Sequence, residues 1–425
     1  NRFFILTVAG LCLAGCVGFD EDYDANLDTF EGCPDIPGHP FGSHPQAYTA
    51  AAILPSGTQA ELDDAVSALY DNWKGRYLMN GSPCGAGQYW VATGMGDKAT
   101  VSEAHGYGMM ITAFMAGYDP DAQNIFDGMY RYFREHPAGS NPDLMAWAQD
   151  YDCNDSGDNN SATDGDLDIA YGLLLADRQW GSAGEVNYRK EARKVLRAIM
   201  DKEVMNNRYI LLADWVIHSD EHMNATRPSD FMPGHLSAFH AEDVTGLDGN
   251  YQSLMDNMYD ILLAVRDPQT GLVPDFVINP LGTPEPSPPS FLEDEDDGMY
   301  GYNSCRVPWR IGVHYLLSGD ERARDMLETM ATWLEAETGG DPANIMAGYD
   351  LDGTAYNDYN NFSFTAPFAL AAMVSAEHQS FLDAIWAEVG VPNLEWGSYY
   401  SDSLQMLSAI AISGNWWTPE DDVCP

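Results

Sequence analysis

The sequence predicts an all-α chain folded as one toroid of helical hairpins, and three observations predict it. About a dozen segments of helical length recur from Pro45 onward, with apolar residues at helical spacing. Gly, Pro, Asn and Asp loops of very unequal length separate them. No composition shift marks a boundary inside 45–425, so the 425-residue chain reads as one large body rather than two domains.

The first residues read as a leader. Arg2 precedes an apolar run, 3–14, of the length of a signal-peptide core and too short to span a bilayer. Leu13-Ala14-Gly15-Cys16 resembles a bacterial lipobox. Residues 1–15 therefore read as a lipoprotein-type signal peptide and Cys16 as the lipidated residue; an ordinary cleaved signal peptide is the alternative. Residues 16–44, acidic and then rich in Pro and Gly, read as a tether. The chain is expected to be exported and held at the bacterial cell envelope, touching membrane only through a lipid on Cys16, or released. Helical segments follow at 58–78, 102–117, 122–135, 164–180, 186–206, 248–265, 307–317, 320–337, 367–376, 379–388 and 401–413. Candidate strands are short, at 208–215 and 272–277. The longest non-helical stretch, 279–303, is Pro-rich and acidic, and a loop of that length in a compact domain is usually functional or disordered.

Twenty Lys+Arg against 65 Asp+Glu leave a net charge of −45. That excess keeps a surface solvated and excludes nucleic acid, which is bound through basic patches. Setting aside the leader and Cys16 leaves five Cys, an odd number for an oxidising compartment. One disulfide is expected among Cys33, Cys84, Cys153 and Cys424, and their spacing does not pair them. There is no CxxC or HExxH. Residues 152–158 faintly echo a calcium loop but lack its final Glu, so no metal is assigned.

Three constellations carry chemistry. In Ser102-Glu103-Ala104-His105-Gly106-Tyr107-Gly108, Ser102 reads as a helix N-cap and Glu103 falls in the first turn. Gly106 and Gly108 permit close approach by another group. In Asp164-Gly165-Asp166-Leu167-Asp168, residues 164 and 168 share a helix face where like charges repel, so the cluster faces solvent or performs a task. Gly301-Tyr302-Asn303-Ser304-Cys305-Arg306-Val307-Pro308-Trp309-Arg310 sets two Arg and two aromatics at a helix entrance, which fits sugar binding.

With Thr226-Arg227-Pro228-Ser229-Asp230, Tyr399-Tyr400-Ser401-Asp402 and Ser413-Gly414-Asn415-Trp416-Trp417, these motifs resemble glycoside hydrolase family 8 in order along nearly the whole body. The resemblance implies an (α/α)6 barrel over 45–425 with an open cleft, and inverting, endo-acting hydrolysis of a β-1,4-linked polysaccharide without a cofactor. It places Glu103 as general acid, Asp164 as the carboxylate that positions the sugar at the cleavage point, and Arg306 in the substrate site. One subgroup has an Asp base where this chain has Asn303, and an amide cannot take a proton from water. A second subgroup, with chitosanases and lichenases, has Asn there and a Glu base from an inserted loop. Ser290-Phe291-Leu292-Glu293-Asp294-Glu295-Asp296-Asp297 is such a loop; Glu293 is expected to be the base, with Glu295 the alternate and Phe291-Leu292 the anchor.

Tyr107, Trp147, Trp215, Tyr302, Asn303, Trp309 and Tyr400 are candidate substrate contacts. Ala104-His105 departs from the family's usual Gly-Gln; His105 reads either as a donor to sugar or as a packed neutral ring. Inversion requires the acid and base carboxyls about 6.5–9.5 Å apart, with opposite protonation states. A β-glucan is the expected substrate. Chitosan is the enzyme-class alternative, and a surface glycan-binding protein that kept the fold and lost catalysis is the other.

Overall fold

The computed structural model describes residues 37–419 apart from 158, 243–249 and 395–396. The leader, Cys16, most of the tether, Cys33 and Cys424 lie outside the described residues. Within them, twelve α-helices form two shells. The inner shell is α2 (Ser102–Phe114), α4 (Thr163–Trp180), α6 (Pro233–Ala241), α8 (Val307–Ser318), α10 (Phe362–Ala372) and α12 (Tyr399–Ile412). Each packs on the next, and α12 returns to α2 and closes the ring. The outer shell, α1 (Gln59–Tyr77), α3 (Ala122–Glu135), α5 (Tyr188–Lys202), α7 (Asn250–Val265), α9 (Glu321–Thr338) and α11 (Gln379–Val389), pairs one outer helix with each inner one. This is the (α/α)6 barrel.

The two shells differ in pattern. Outer helices bury one stripe, as α3 does with Ile125, Met129, Tyr132 and Phe133. The inner helices α2, α4 and α12 are buried all round: every residue of α2 except Glu103, of α4 except Trp180 and of α12 except Tyr400. Amphipathic periodicity therefore finds the outer shell more easily. It misses α6, a nine-residue inner helix interrupted by Gly234, His235 and His240. It also starts α10 too late, at Pro367; the helix begins at Phe362, because the Asn361 side chain accepts the Ser363 N–H and caps it upstream.

The strand at 208–215 contracts to Tyr209–Ile210, paired with Val204–Met205, before a 3₁₀ turn at Asp214–His218. The segment at 272–277 contributes only the start of Val277–Ile278, which lies between Ala225–Thr226 and Glu285–Pro286. Of the four candidate cysteines, Cys84 and Cys153 are joined, and Cys305 is buried and free. The tether assignment is too long at its end. Residues 38–41 dock against the C-terminal ends of inner helices: the Gly38 N–H donates to the Gln179 carbonyl, Phe41 to the Ala116 carbonyl, and the His39 ring packs on Trp417 at 4.3 Å.

Close approach of α2 and α4 sets the position of everything above them. A Cβ on Gly106 would lie 2.6 Å from Asp168 Cβ, and one on Gly165 would lie 2.4 Å from Ser102 Oγ and 2.6 Å from its backbone carbon. Gly165→Ala is accordingly expected to destabilise the fold by about 1–3 kcal/mol through overpacking, read from urea unfolding, and to lower activity by shifting the Ser102–Glu103 turn. Unchanged stability would mean that the two helices separate without cost.

Candidate active site

A cleft of about 570 Å³ opens at the N-terminal end of the inner helices, and the first residues of α2, α4 and α12 line it. Gathering helix N-termini concentrates their partial positive charge, which favours carboxylates there. Glu103 is delivered by a strand running straight into α2: Lys98–Val101 pairs with Ala148–Asp150, and the Ser102 N–H donates to the Trp147 carbonyl at 2.8 Å. Val101, in extended conformation, occupies the cap position. Ser102 is therefore not the N-cap expected from sequence; it is the first helical residue, buried against Gly165.

Arg306, at the entrance of α8, joins the site across the barrel. Its Nη1 donates to Glu103 Oε2 at 2.6 Å and to Asp164 Oδ2 at 2.8 Å. Its Nη2 donates to Ser229 Oγ at 2.9 Å and to Asn303 Oδ1 at 3.0 Å. Glu103 Oε1 accepts the Tyr399 hydroxyl at 2.8 Å. Arg227 adds a second guanidinium to Asp164, at 3.2 Å, and is itself held by Asp230. Asn303 Nδ2 donates to Glu293 Oε2 at 2.8 Å, and Arg227 Nη1 stands 3.7 Å from Glu293 Oε1.

These partners split the carboxyls. Burial, reinforced by the charge of Asp164, pushes Glu103 up to about 7 against the opposing pull of Arg306 and Tyr399. Burial also works against ionisation of Asp164, but Arg227, Arg306 and the Gly165 N–H outweigh it and hold that carboxyl at about 2. Near neutral pH the site thus offers a carboxyl able to give a proton and a fixed anion beside it. Glu293, with a side chain 47% exposed, is a third carboxylate open to water. In the ring order α2 and α8 stand opposite each other, so Glu103 and Asn303 with Glu293 come from opposite walls.

Residues 51–413 match the model of glycosyl hydrolases family 8. The chain belongs to that family. It is 44% identical over 387 residues to a beta-glucanase of Niallia circulans, covering 90% of this chain and 92% of that enzyme. It is 38% identical over 397 residues to an endoglucanase of Bacillus sp. strain KSM-330, covering 89% and 82%. The solved apo structure of a beta-1,3-1,4-glucanase from Paenibacillus sp. X4 superposes with a TM-score of 0.85 at 42% identity, over 90% of this chain and all of that one.

In this family 8 chain the structure brings together Glu103, Asp164, Asn303 and Glu293, with Trp147, Tyr302 and Tyr400 on the cleft wall. It removes other candidates from that wall. Arg306 is 1% exposed with its donors committed to protein groups, so it organises the carboxylates rather than meeting substrate. Tyr107 is fully buried beneath it, and Trp309 is fully buried under the Arg310 guanidinium, where inner-helix packing claims both rings. Trp215 packs edge-on against His222 at 5.2 Å and is not among the lining residues. His105 is a packed ring: its Nε2 bonds the Met129 carbonyl, and burial lowers it to about 4. Asp164 and Asp168 share a helix face without repelling because separate cations hold them; Arg310 grips Asp168 through both oxygens at 2.7 Å. Glu295 lines a separate depression with Asp350 and Asp352.

Sequence reading did not single out Arg227, Tyr399 or Asp275. The first two sit inside quoted motifs, where their neighbours drew the attention. Asp275 carried a usable signal, a lone acid in the apolar run Leu272-Val273-Pro274-Asp275-Phe276-Val277. It is buried, accepts the N–H groups of Gly301, Asn303 and Ser304, and so fixes the turn that presents Asn303.

Arg306→Met is expected to cost about 3–5 kcal/mol at pH 7, because it leaves buried carboxylates short of a cation. Asp164 titrates below its ordinary value of 3.8, so its stabilising share is present above that value and is lost as pH falls toward about 2. Urea unfolding of variant and wild type should therefore converge across that window. A gap independent of pH would mean that the ion pairs contribute nothing to the difference.

Proposed function

We propose that this family 8 enzyme cleaves a neutral β-linked glucan internally, with inversion at the anomeric carbon. The observation that carries the reading is a largely enclosed carboxyl held up at about 7 on one wall, with a water-open carboxylate on the other. Glu103 gives its proton to the glycosidic oxygen as the C1–O bond breaks. Water attacks C1 from the opposite face, and Glu293 takes the proton that water loses. Asp164 stays ionised beside the developing positive charge on the sugar. Glu103 ends ionised and Glu293 protonated, and exchange with solvent resets both.

Asn303 supports the reading that the base comes from an inserted loop. The amide that cannot act as base instead holds Glu293 at 2.8 Å. Neutral substrate is favoured over chitosan by the lining: its carboxylates are Glu103, Asp164 and Glu293, and the rest is aromatic, apolar or neutral polar apart from Arg227. The names of the beta-glucanase and endoglucanase relatives point the same way. Export and anchoring through Cys16 are proposed from the leader alone.

Reducing-sugar release from barley β-glucan, carboxymethylcellulose, xylan and chitosan, assayed side by side, should be greatest on the β-glucans. Proton NMR of fresh product should show the α-anomer first; an initial β-anomer would remove the inverting assignment.

The acid role predicts a pH profile. Glu103 must be protonated to act, so kcat/KM should fall as pH rises through about 7. Tyr399→Phe removes a hydrogen bond to the carboxylate form and should move that limb to higher pH, while Glu103→Gln should lose about 10²–10⁴-fold in rate. An unmoved limb in Tyr399→Phe would take Glu103 out of the acid role.

A further inference from the structure

The acidic run Glu293-Asp294-Glu295-Asp296-Asp297 is not a uniformly solvated stretch. Asp297 is 2% exposed. Its Oδ2 accepts the N–H groups of Leu292 at 2.7 Å and Glu293 at 3.0 Å, and its Oδ1 accepts that of Asp294 at 3.1 Å. One carboxylate thus fixes the backbone on both sides of the Glu293 side chain. Asp297 is fixed in turn, since its carbonyl accepts the N–H of buried Phe276 at 3.0 Å. Phe291 reaches the same foundation, its ring 6.0 Å from Phe276 and 5.0 Å from His222, whose Nε2 meets the Phe291 carbonyl at 3.2 Å. Leu292, the other half of the expected anchor, is exposed.

The neighbouring residue Asp275 holds the Asn303 turn. Two arms therefore rise from the Asp275-Phe276 pair, one to Asn303 and one through Asp297 to Glu293, and the 2.8 Å hydrogen bond between Asn303 and Glu293 closes them. We infer that Asp297 is the positioning residue for the general base: it acts through the loop backbone to hold Glu293 over the cleft. The inference rests on the reading of Glu293 as base.

The test compares Glu293→Ala, Asp297→Ala, Asp297→Asn, the Glu293→Ala/Asp297→Ala double variant and Glu295→Ala, with melting temperature recorded for each. Glu293→Ala should lose several orders of magnitude in kcat and regain part of its rate with external azide, a nucleophile that needs no base. Asp297→Ala should lose about 10²-fold in kcat, the scale of an ångström-sized misplacement, with KM for a soluble oligosaccharide little changed. Asp297→Asn should lose less, because its amide oxygen still accepts an N–H. The pH limbs should not move in either, and Glu295→Ala should behave as wild type. The azide-rescued rate of the double variant should equal that of Glu293→Ala, since nothing remains to be positioned.

If Glu293→Ala is inactive while both Asp297 variants keep the wild-type kcat, the positioning role is wrong and the base stands. Equal losses in Asp297→Ala and Asp297→Asn with shifted limbs would show action through charge and overturn it. A further drop in the rescued rate of the double variant would show general damage and also overturn it. A near-normal Glu293→Ala removes the base reading itself, and this inference with it.

Discussion

The active end of the barrel depends on one buried cation. The Arg306 guanidinium starts at α8 and reaches across the axis to α2 through Glu103, to α4 through Asp164, and to the turn before α6 through Ser229. A planar guanidinium has five donors in a fixed fork, so it can bridge several elements that no hydrophobic contact would hold in register. Burying it requires carboxylates nearby, and the same requirement draws Glu103 and Asp164 close enough to disturb one another. Two guanidinium groups, Arg306 and Arg227, serve three carboxyls around the cleft. Asp164 receives both and remains ionised; Glu103 shares one and keeps its proton near neutrality. Unequal access to charge, rather than any difference in carboxyl chemistry, separates their protonation states.

Asn303 shows why an amide belongs where a carboxylate would be the more obvious catalytic group. Its two ends differ: the NH2 faces Glu293 and the carbonyl oxygen faces Arg306. A carboxylate there would compete with Glu103 and Asp164 for the same guanidinium and would repel Glu293. The amide passes a hydrogen-bonded connection between walls without adding a fourth charge. Its backbone is fixed independently by Asp275, so its orientation is set from below as well as from the side.

The shells of the fold were unequally legible in the sequence. Outer helices such as α3 announce themselves by a one-sided apolar stripe, whereas α10 is buried on nearly every side and α6 is only nine residues long, with Gly234, His235 and His240 breaking its apolar pattern. Glu103 and Asp164 stood out because each is an acid at a helix entrance within a dense motif, and Asn303 because the resemblance sets it where a carboxylate is usual. Exposure was harder to read. Trp309 and Tyr107 sit in the same motifs as true cleft residues, but helical spacing turns them inward, and a side chain's direction depends on where the helix begins. The Ser102 error has the same origin: one residue's shift in the start of α2 changes a cap into a buried contact. Asp275 shows as a lone acid in an apolar run, but its partners at 301–304 lie far along the chain, and Asp297 is one acid in a run of five, so neither role is written in a local pattern.

The docking of residues 38–41 bears on presentation. These residues bind at Ala116, Gln179 and Trp417, at or just past the C-terminal ends of α2, α4 and α12, while the cleft opens at the N-terminal ends. The thirteen residues of α2 put roughly 20 Å of packed barrel between the two faces. Residues 38–41 therefore join the toroid on the face opposite the cleft. Anchored through Cys16 as proposed, the enzyme would turn its mouth away from its support and leave it open to a long polymer.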